Sequence, residues 1–123
     1  MAGANRTCLV SDQGKLRCWG DNYDYQCGYG SGEPVGDSPG EMPPGDVAAA
    51  PDGDRVVLVA AGWTVTCVVT DRKEVRCFGT GNYGEHGTGA IGTILGDEAN
   101  ELPSAPVNLG GEVDQVSVGA SHA

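Results

Sequence analysis

Four cysteines occupy matching places in this chain: Cys8 and Cys18 lie ten residues apart, and so do Cys67 and Cys77. Two thiols at that spacing can do one kind of chemistry, oxidation to a disulfide, provided that the chain between them folds back on itself. In a symmetric hairpin whose turn is centred on Gln13, residues 8 and 18 face each other. Opposed residues at a non-hydrogen-bonded site lie ~4.5 Å apart at Cα, within the reach of a disulfide. The expected bridges are therefore Cys8 to Cys18 and Cys67 to Cys77. The competing reading is four small buried thiols, which pack well in a core and stay reduced inside a cell. Cys27 has no counterpart, because His86 stands at its place in the second half, and it is expected to remain a free thiol. Oxidised pairs would imply an extracellular setting, where Asn5-Arg6-Thr7 also becomes a glycosylation acceptor at Asn5 unless strand burial blocks it.

Other residues suggest chemistry and then lose it to context. Gly79-Thr80-Gly81-Asn82-Tyr83-Gly84 has the spacing of a dinucleotide-binding loop. Such a loop works only where a helix begins at the turn and offers its N-terminus to the pyrophosphate, and here Gly87 and Gly89 follow instead. His86 and His122 have no cysteines or carboxylates at zinc-ligand spacing. Asp37, Glu41, Asp46, Asp52 and Asp54 are acidic enough for calcium but lack the alternating ligands of an EF-hand loop, so they read as solvated loops, with a basic partner as the remaining use. No Gly-x-Ser-x-Gly elbow exists. The chain is expected not to be an enzyme, with no cofactor, no metal site and no catalytic residues.

The elements that position these residues come in copies. A shift of 59 lays Ala2–Gly30 over Ala61–Gly89 with 11 identities in 29 positions, among them both cysteine pairs. A duplicated unit explains this; chance does not. After one inserted residue, Gly36-Asp37 answers Gly96-Asp97, and Glu41-Met42-Pro43 answers Glu101-Leu102-Pro103. The segment from Arg55 to Gly62 recurs from Glu112 to Gly119, where a third unit begins. The frame is thus a first repeat over 1–60, a second over 61–119, and the start of a third at 120–123. Arg6–Ser11 and Lys15–Gly20 flank a turn and predict a hairpin, repeated by Val65–Thr70 and Glu74–Gly79. Val56–Ala61 and Val113–Val118 predict one further strand per unit, and Asp46–Ala50 and Ala105–Leu109 a fourth. No segment has the period of an amphipathic helix. The expected fold class is all-β, with about two four-stranded antiparallel blades of a partial β-propeller.

Thr7-Cys8-Leu9-Val10, Lys15-Leu16-Arg17-Cys18-Trp19-Gly20-Asp21-Asn22 and Gly28-Tyr29-Gly30 together resemble the repeat of the regulator-of-chromosome-condensation family. Gly62-Trp63-Thr64-Val65-Thr66-Cys67 and Arg76-Cys77-Phe78-Gly79 resemble it again. The chain departs from the pattern at Arg6 and Val65, usual His positions, at Tyr25, a usual Gly, and at Gly81, a usual Asn; His122 restores the His. The resemblance implies blades that close into a ring of about seven. Two units leave blade edges unpaired, a liability that more repeats or self-association would remove. A light-sensing plant branch of the family has a similar Gly-Trp motif at the place of Trp63, but Trp63 and Trp19 are expected to serve blade packing.

Seven Lys and Arg against 17 Asp and Glu give a net charge of −10, which repels phosphate backbones and anionic lipid. Neither nucleic acid nor membrane is an expected partner. The first residues show no apolar signal-peptide core, and the longest apolar run, Val56–Ala61, is far below a membrane span. The resemblance implies a protein-interaction module that presents loops to a macromolecular partner. Its alternatives are a regulator acting as a guanine-nucleotide exchange factor and a purely structural propeller segment.

Overall fold

A computed structural model describes residues 2–3, 5–98 and 101–119. Its strands are β1 (Ala2–Gly3), β2 (Arg6–Val10), β3 (Leu16–Gly20), β4 (Val56–Ala61), β5 (Val65–Thr70), β6 (Val75–Gly81) and β7 (Thr93–Leu95). They form two antiparallel sheets in plain meander order, β1-β2-β3 and β4-β5-β6-β7, with no helix among the described residues. Both hairpins sit where the repeat puts them, and in the same register: Cys8 opposes Cys18, and Cys67 opposes Cys77.

Alternation along the strands builds two cores. On β5 and β6 the residues Val65, Cys67, Val69, Val75 and Cys77 face one way. Their neighbours Val68 and Phe78 face the other way, into the first sheet, where they meet Cys8, Leu16, Cys18 and Val47. Every residue of β5 is buried, because the first sheet covers one of its faces and residues 107–118 cover the other. Phe78 is fully enclosed, and its ring lies so close to Gly28 that a Cβ there would come within 2.8 Å of it. Gly28 also has φ of 80°, a region costly for any side chain.

The outer strands differ from the sequence pattern. Asp46–Ala50 contributes a single bridge, Val47 to Leu16, and Ala105–Leu109 one backbone bond, Val107 N–H to the Val75 carbonyl. Prolines at 43, 44 and 51, and at 103 and 106, remove the donors that a longer ladder needs. The fourth strand of the second sheet is β7 instead, paired with the Gly79–Gly81 end of β6. Its counterpart in the first sheet shrinks to one bridge between Val35 and Gly20, next to Pro34. Val113–Val118 is not a strand, since among the described residues no second strand pairs with it to complete a ladder. β4 pairs with β5, so the hydrogen-bonded sheet begins at Val56, a few residues before the second repeat of the 1–60 and 61–119 frame.

Candidate functional site

The seam between the sheets is closed by Arg6. Its Nη1 donates to the carbonyls of Gly62 at 2.8 Å and Trp63 at 3.1 Å, and its Nη2 to the Val65 carbonyl at 3.0 Å and Thr66 Oγ1 at 2.7 Å. Thr66 Oγ1 in turn donates to the Gln26 carbonyl at 2.6 Å. A planar fork of donors suits this cluster of carbonyls, which a point charge would not serve. Burial holds the Arg6 pKa below its ordinary value, against the opposing pull of Cys27, Asp21 and Asp24. The residue departs from the repeat at a usual His position, and that departure was the only sequence signal for its role.

Topology sends the β4–β5 turn and the exits of β3 and β6 to one end of both sheets. Thr80 Oγ1 donates to the Asp24 carbonyl at 3.0 Å, and Gln26 Nε2 to the Trp63 carbonyl at 3.4 Å, so the three loops are tied together. Asn22 fixes the first of them, accepting from Cys27 N–H at 2.8 Å and donating to the Ser31 carbonyl at 2.7 Å. On this scaffold Tyr23, Trp63 and Tyr83 are 71%, 64% and 78% exposed. The expectation that Trp63 packs between blades is therefore corrected. Its carbonyl serves the seam while its ring, on a turn, points to solvent. Trp19, on β3, is half-buried.

Charge is segregated along the same axis. Lys15, Arg55, Arg72 and Lys73 flank the hairpin turns at the opposite end, where Arg72 pairs with Asp54 and Lys73 with Asp114. Arg17 pairs with Asp46, and Arg76 with Glu74. Arg6 is buried, so all seven side-chain cations of the sequence are placed. The loop end keeps Asp21, Asp24 and Glu85 beside its aromatics and has no exposed Lys or Arg.

The remaining predicted residues fall as follows. Cys8–Cys18 and Cys67–Cys77 are joined, each pair with Cα atoms 4.1 Å apart. Cys27 is unbridged and fully buried, and burial pushes its thiol pKa up to about 11. Asn5 is exposed in the turn before β2, with φ of 57°, while Arg6 and Thr7 of the same acceptor sequence are in the strand. His86 is buried against Gly81, and a Cβ on that glycine would lie 2.8 Å from the ring. Gly81 thus ends a strand beside an imidazole instead of opening a helix. His122 lies outside the described residues.

The acidic loops are ordered from within. Glu41 Oε2 accepts from the N–H groups of Gly36 at 2.7 Å and Ser38 at 3.0 Å; Glu101 Oε2 accepts from Gly96 at 2.8 Å and Asp97 at 3.1 Å. The backbone bonds hold Glu41 below the ordinary carboxylate pKa; at Glu101 burial pushes upward, but a hydrogen bond with the Asp97 side chain and the backbone bonds outweigh it and the pKa is again lowered. The repeated Gly-Asp and Glu-x-Pro elements are the signal that could have revealed these caps. Among the described residues no three His, Cys, Asp or Glu side chains are grouped to hold a metal ion.

Two stacked antiparallel meanders, each with its loops at the same end, are β-propeller blades. The family model for the regulator of chromosome condensation (RCC1) repeat matches residues 2–26 and 56–85. The chain thus carries two RCC1 repeats. It is 30% identical over 122 residues to the ultraviolet-B receptor UVR8 of Arabidopsis thaliana, covering 98% of this chain and 24% of the receptor. It is 33% identical over 104 residues to an RCC1 repeat-containing protein of Schizosaccharomyces pombe, covering 82% of this chain and 29% of that protein. Among solved structures it resembles yeast RCC1 (Prp20) in its complex with Kap60, with a TM-score of 0.66 at 21% identity, over 97% of this chain and 27% of that one. It likewise resembles a second structure of Prp20p, from Saccharomyces cerevisiae, with a TM-score of 0.63 at 20% identity, over 97% of this chain and 28% of that one. The chain therefore spans about a quarter of the length of these relatives.

Proposed function

We propose that the chain is a protein-interaction module, not a catalyst, and that its loop end takes a cationic segment of a protein partner. The observation that carries this reading is the segregation of charge: exposed Tyr23, Trp63 and Tyr83 beside Asp21, Asp24 and Glu85, with every Lys and Arg buried, paired or at the far end. Aromatic faces attract Lys and Arg side chains, and carboxylates speed and orient their approach. Loops held by stiff strands keep that surface pre-formed, which lowers the entropy cost of binding. The solved structures of Prp20 agree with a protein partner, since one is bound to Kap60 and the other concerns binding to Gsp1p and histones.

Titration of the chain with a Lys- and Arg-rich peptide, read by Trp fluorescence, tests the proposal. A saturable change that weakens as salt rises and disappears in Trp63→Ala supports it. No saturation at low salt, or equal binding by Trp63→Ala, overturns it. Trp63 is exposed, so its removal leaves the blades intact.

A further inference from the structure

The two blades hold equivalent turns with different pegs. In the first blade the turn after β3 is fixed by Asn22, which is fully buried. Its Oδ1 accepts from Cys27 N–H at 2.8 Å, and its Nδ2 donates to the carbonyls of Ser31 at 2.7 Å and Glu33 at 3.0 Å. The second blade makes the same turn. Asp24 N–H donates to Gln26 Oε1 at 2.8 Å in the first, and Tyr83 N–H to Glu85 Oε2 at 2.7 Å in the second, at equivalent positions of the repeat. At the place of Asn22, however, stands Gly81, and at the place of Cys27 stands His86.

The His86 ring takes the space that Gly81 leaves open. It is 1% exposed, and its Cε1 and Nδ1 lie 2.8 Å from where a Cβ on Gly81 would stand. In β7, Leu95 pairs with Gly79 and Thr93 with Gly81; since Val35 bridges Gly20 in the first blade, Thr93 answers Glu33. Nδ1 of His86 lies 3.3 Å from Thr93 Oγ1. The imidazole thus ties its turn to β7 as the Asn22 carboxamide ties its own to residues 31–33.

The pegs differ in one property: a carboxamide keeps its charge state at every ordinary pH, whereas an imidazole gains a proton near neutrality. A protonated ring has two N–H donors to satisfy. Nδ1 has Thr93 Oγ1 within reach, but Nε2 is buried with no hydrogen-bond partner among the described residues. β6 and β7 meet the ring with Gly79, Gly81 and Thr93, which carry no charge. Burial is the largest influence on the ring and lowers its pKa, against the Gly79 backbone and Glu85 on the same turn, which favour the charged form. A protonated His86 is therefore better accommodated in water than in its slot.

We infer that His86 is the positioning residue of the turn that carries Tyr83 and Glu85, and that protonation of its ring frees this turn and β7 and so weakens the hold of the loop end on a cationic segment. The effect on binding rests on the function proposed above; the positioning role does not.

Amide exchange of the chain at pH 7.5 and pH 5.5, with each rate divided by that of unstructured peptide, reads the opening directly. A released ring titrates near ~6.5, so pH 5.5 should favour opening by about tenfold. Protection of Gly87 N–H, bonded to the Gly84 carbonyl at 3.0 Å, and of the β7 amides should fall by that factor. The double variant Gly81→Asn with His86→Cys, which installs the pair of the first blade, should show no such fall, and neither should His86→Gln; protection at pH 7.5 shows that each is folded. Affinity for a Lys- and Arg-rich peptide should drop more steeply toward pH 5.5 in the chain than in the double variant, which keeps Asp21, Asp24 and Glu85. Equal protection at both pH values, or an equal fall in the variants, overturns the inference, and so does a peptide affinity with the same pH course in both chains. No peptide binding at pH 7.5, with the protection pattern as expected, overturns the proposed function and the effect on binding, while the positioning role stands.

Discussion

Replacing Arg6 by Ala should cost the two-blade unit about 3 kcal/mol of stability. The side chain is 3% exposed and satisfies three carbonyls and a hydroxyl on the second blade, at 2.7 to 3.1 Å. Hydrogen bonds from a charged donor contribute about 1.5–3 kcal/mol each. Four such bonds set an upper bound of ~6–12 kcal/mol. Two effects reduce it: the deletion also removes the cost of burying the charge, which the lowered pKa of Arg6 records, and water refills part of the space. A net loss of about 3 kcal/mol remains, against a total of ~5–15 kcal/mol for a domain. Arg6→Lys should recover only part, since one ammonium cannot reach four acceptors spread over the β4–β5 turn and the start of β5. Urea unfolding at one fixed protein concentration, followed by circular dichroism, reads the difference directly. A loss below ~1 kcal/mol, the net worth of one ordinary hydrogen bond, would refute the claim that the guanidinium closes the seam.

Thiol counting in non-reducing denaturant should find one reactive thiol, Cys27, which places maturation in an oxidising compartment; five would contradict both bridges. In the native state that thiol should alkylate slowly, and faster as pH rises toward its pKa of about 11, while reduction should destabilise the chain by at most ~3 kcal/mol per bridge. His86 is buried with its pKa lowered, mainly by desolvation. The unfolded chain then binds the proton more tightly, so stability is complete above ~6.5, the unfolded value, and falls as pH drops below it. Melting temperatures from pH 8 to pH 5 should show that fall, and His86→Gln should flatten it; an unchanged slope would contradict the assignment. Titrations with GTP, NAD and ATP should give no saturable signal, and micromolar binding lost in Gly81→Ala would show that the turn after β6 does hold phosphate.

Much of the fold was legible because its signals are local and duplicated. The hairpins, their register and the cysteine pairing follow from a turn flanked by alternating residues, and the 59-residue shift supplied a second copy as a check. What depends on contacts between blades was not legible. Nothing in the type or spacing of Arg6 shows that four acceptors wait on the next sheet. Trp63 reads as a packing residue because tryptophans usually pack, yet a turn position leaves its ring outside. Glu41 reads as part of a charged loop, since a carboxylate that folds back onto its own N–H groups looks in sequence like one facing water. The outer strands were misplaced for a similar reason: the Val-containing segments at 105–109 and 113–118 read as strands, but a strand also needs a neighbour with free donors and acceptors. Thr93–Leu95 has that neighbour in β6.

The most direct test of the proposed function is amide chemical-shift mapping of the chain during titration with a Lys- and Arg-rich peptide. The account predicts shifts confined to 21–26, 62–64 and 82–85, together with the indole of Trp63. Shifts centred on the hairpin turns at 11–15 and 71–74, or none at saturating peptide, would contradict it.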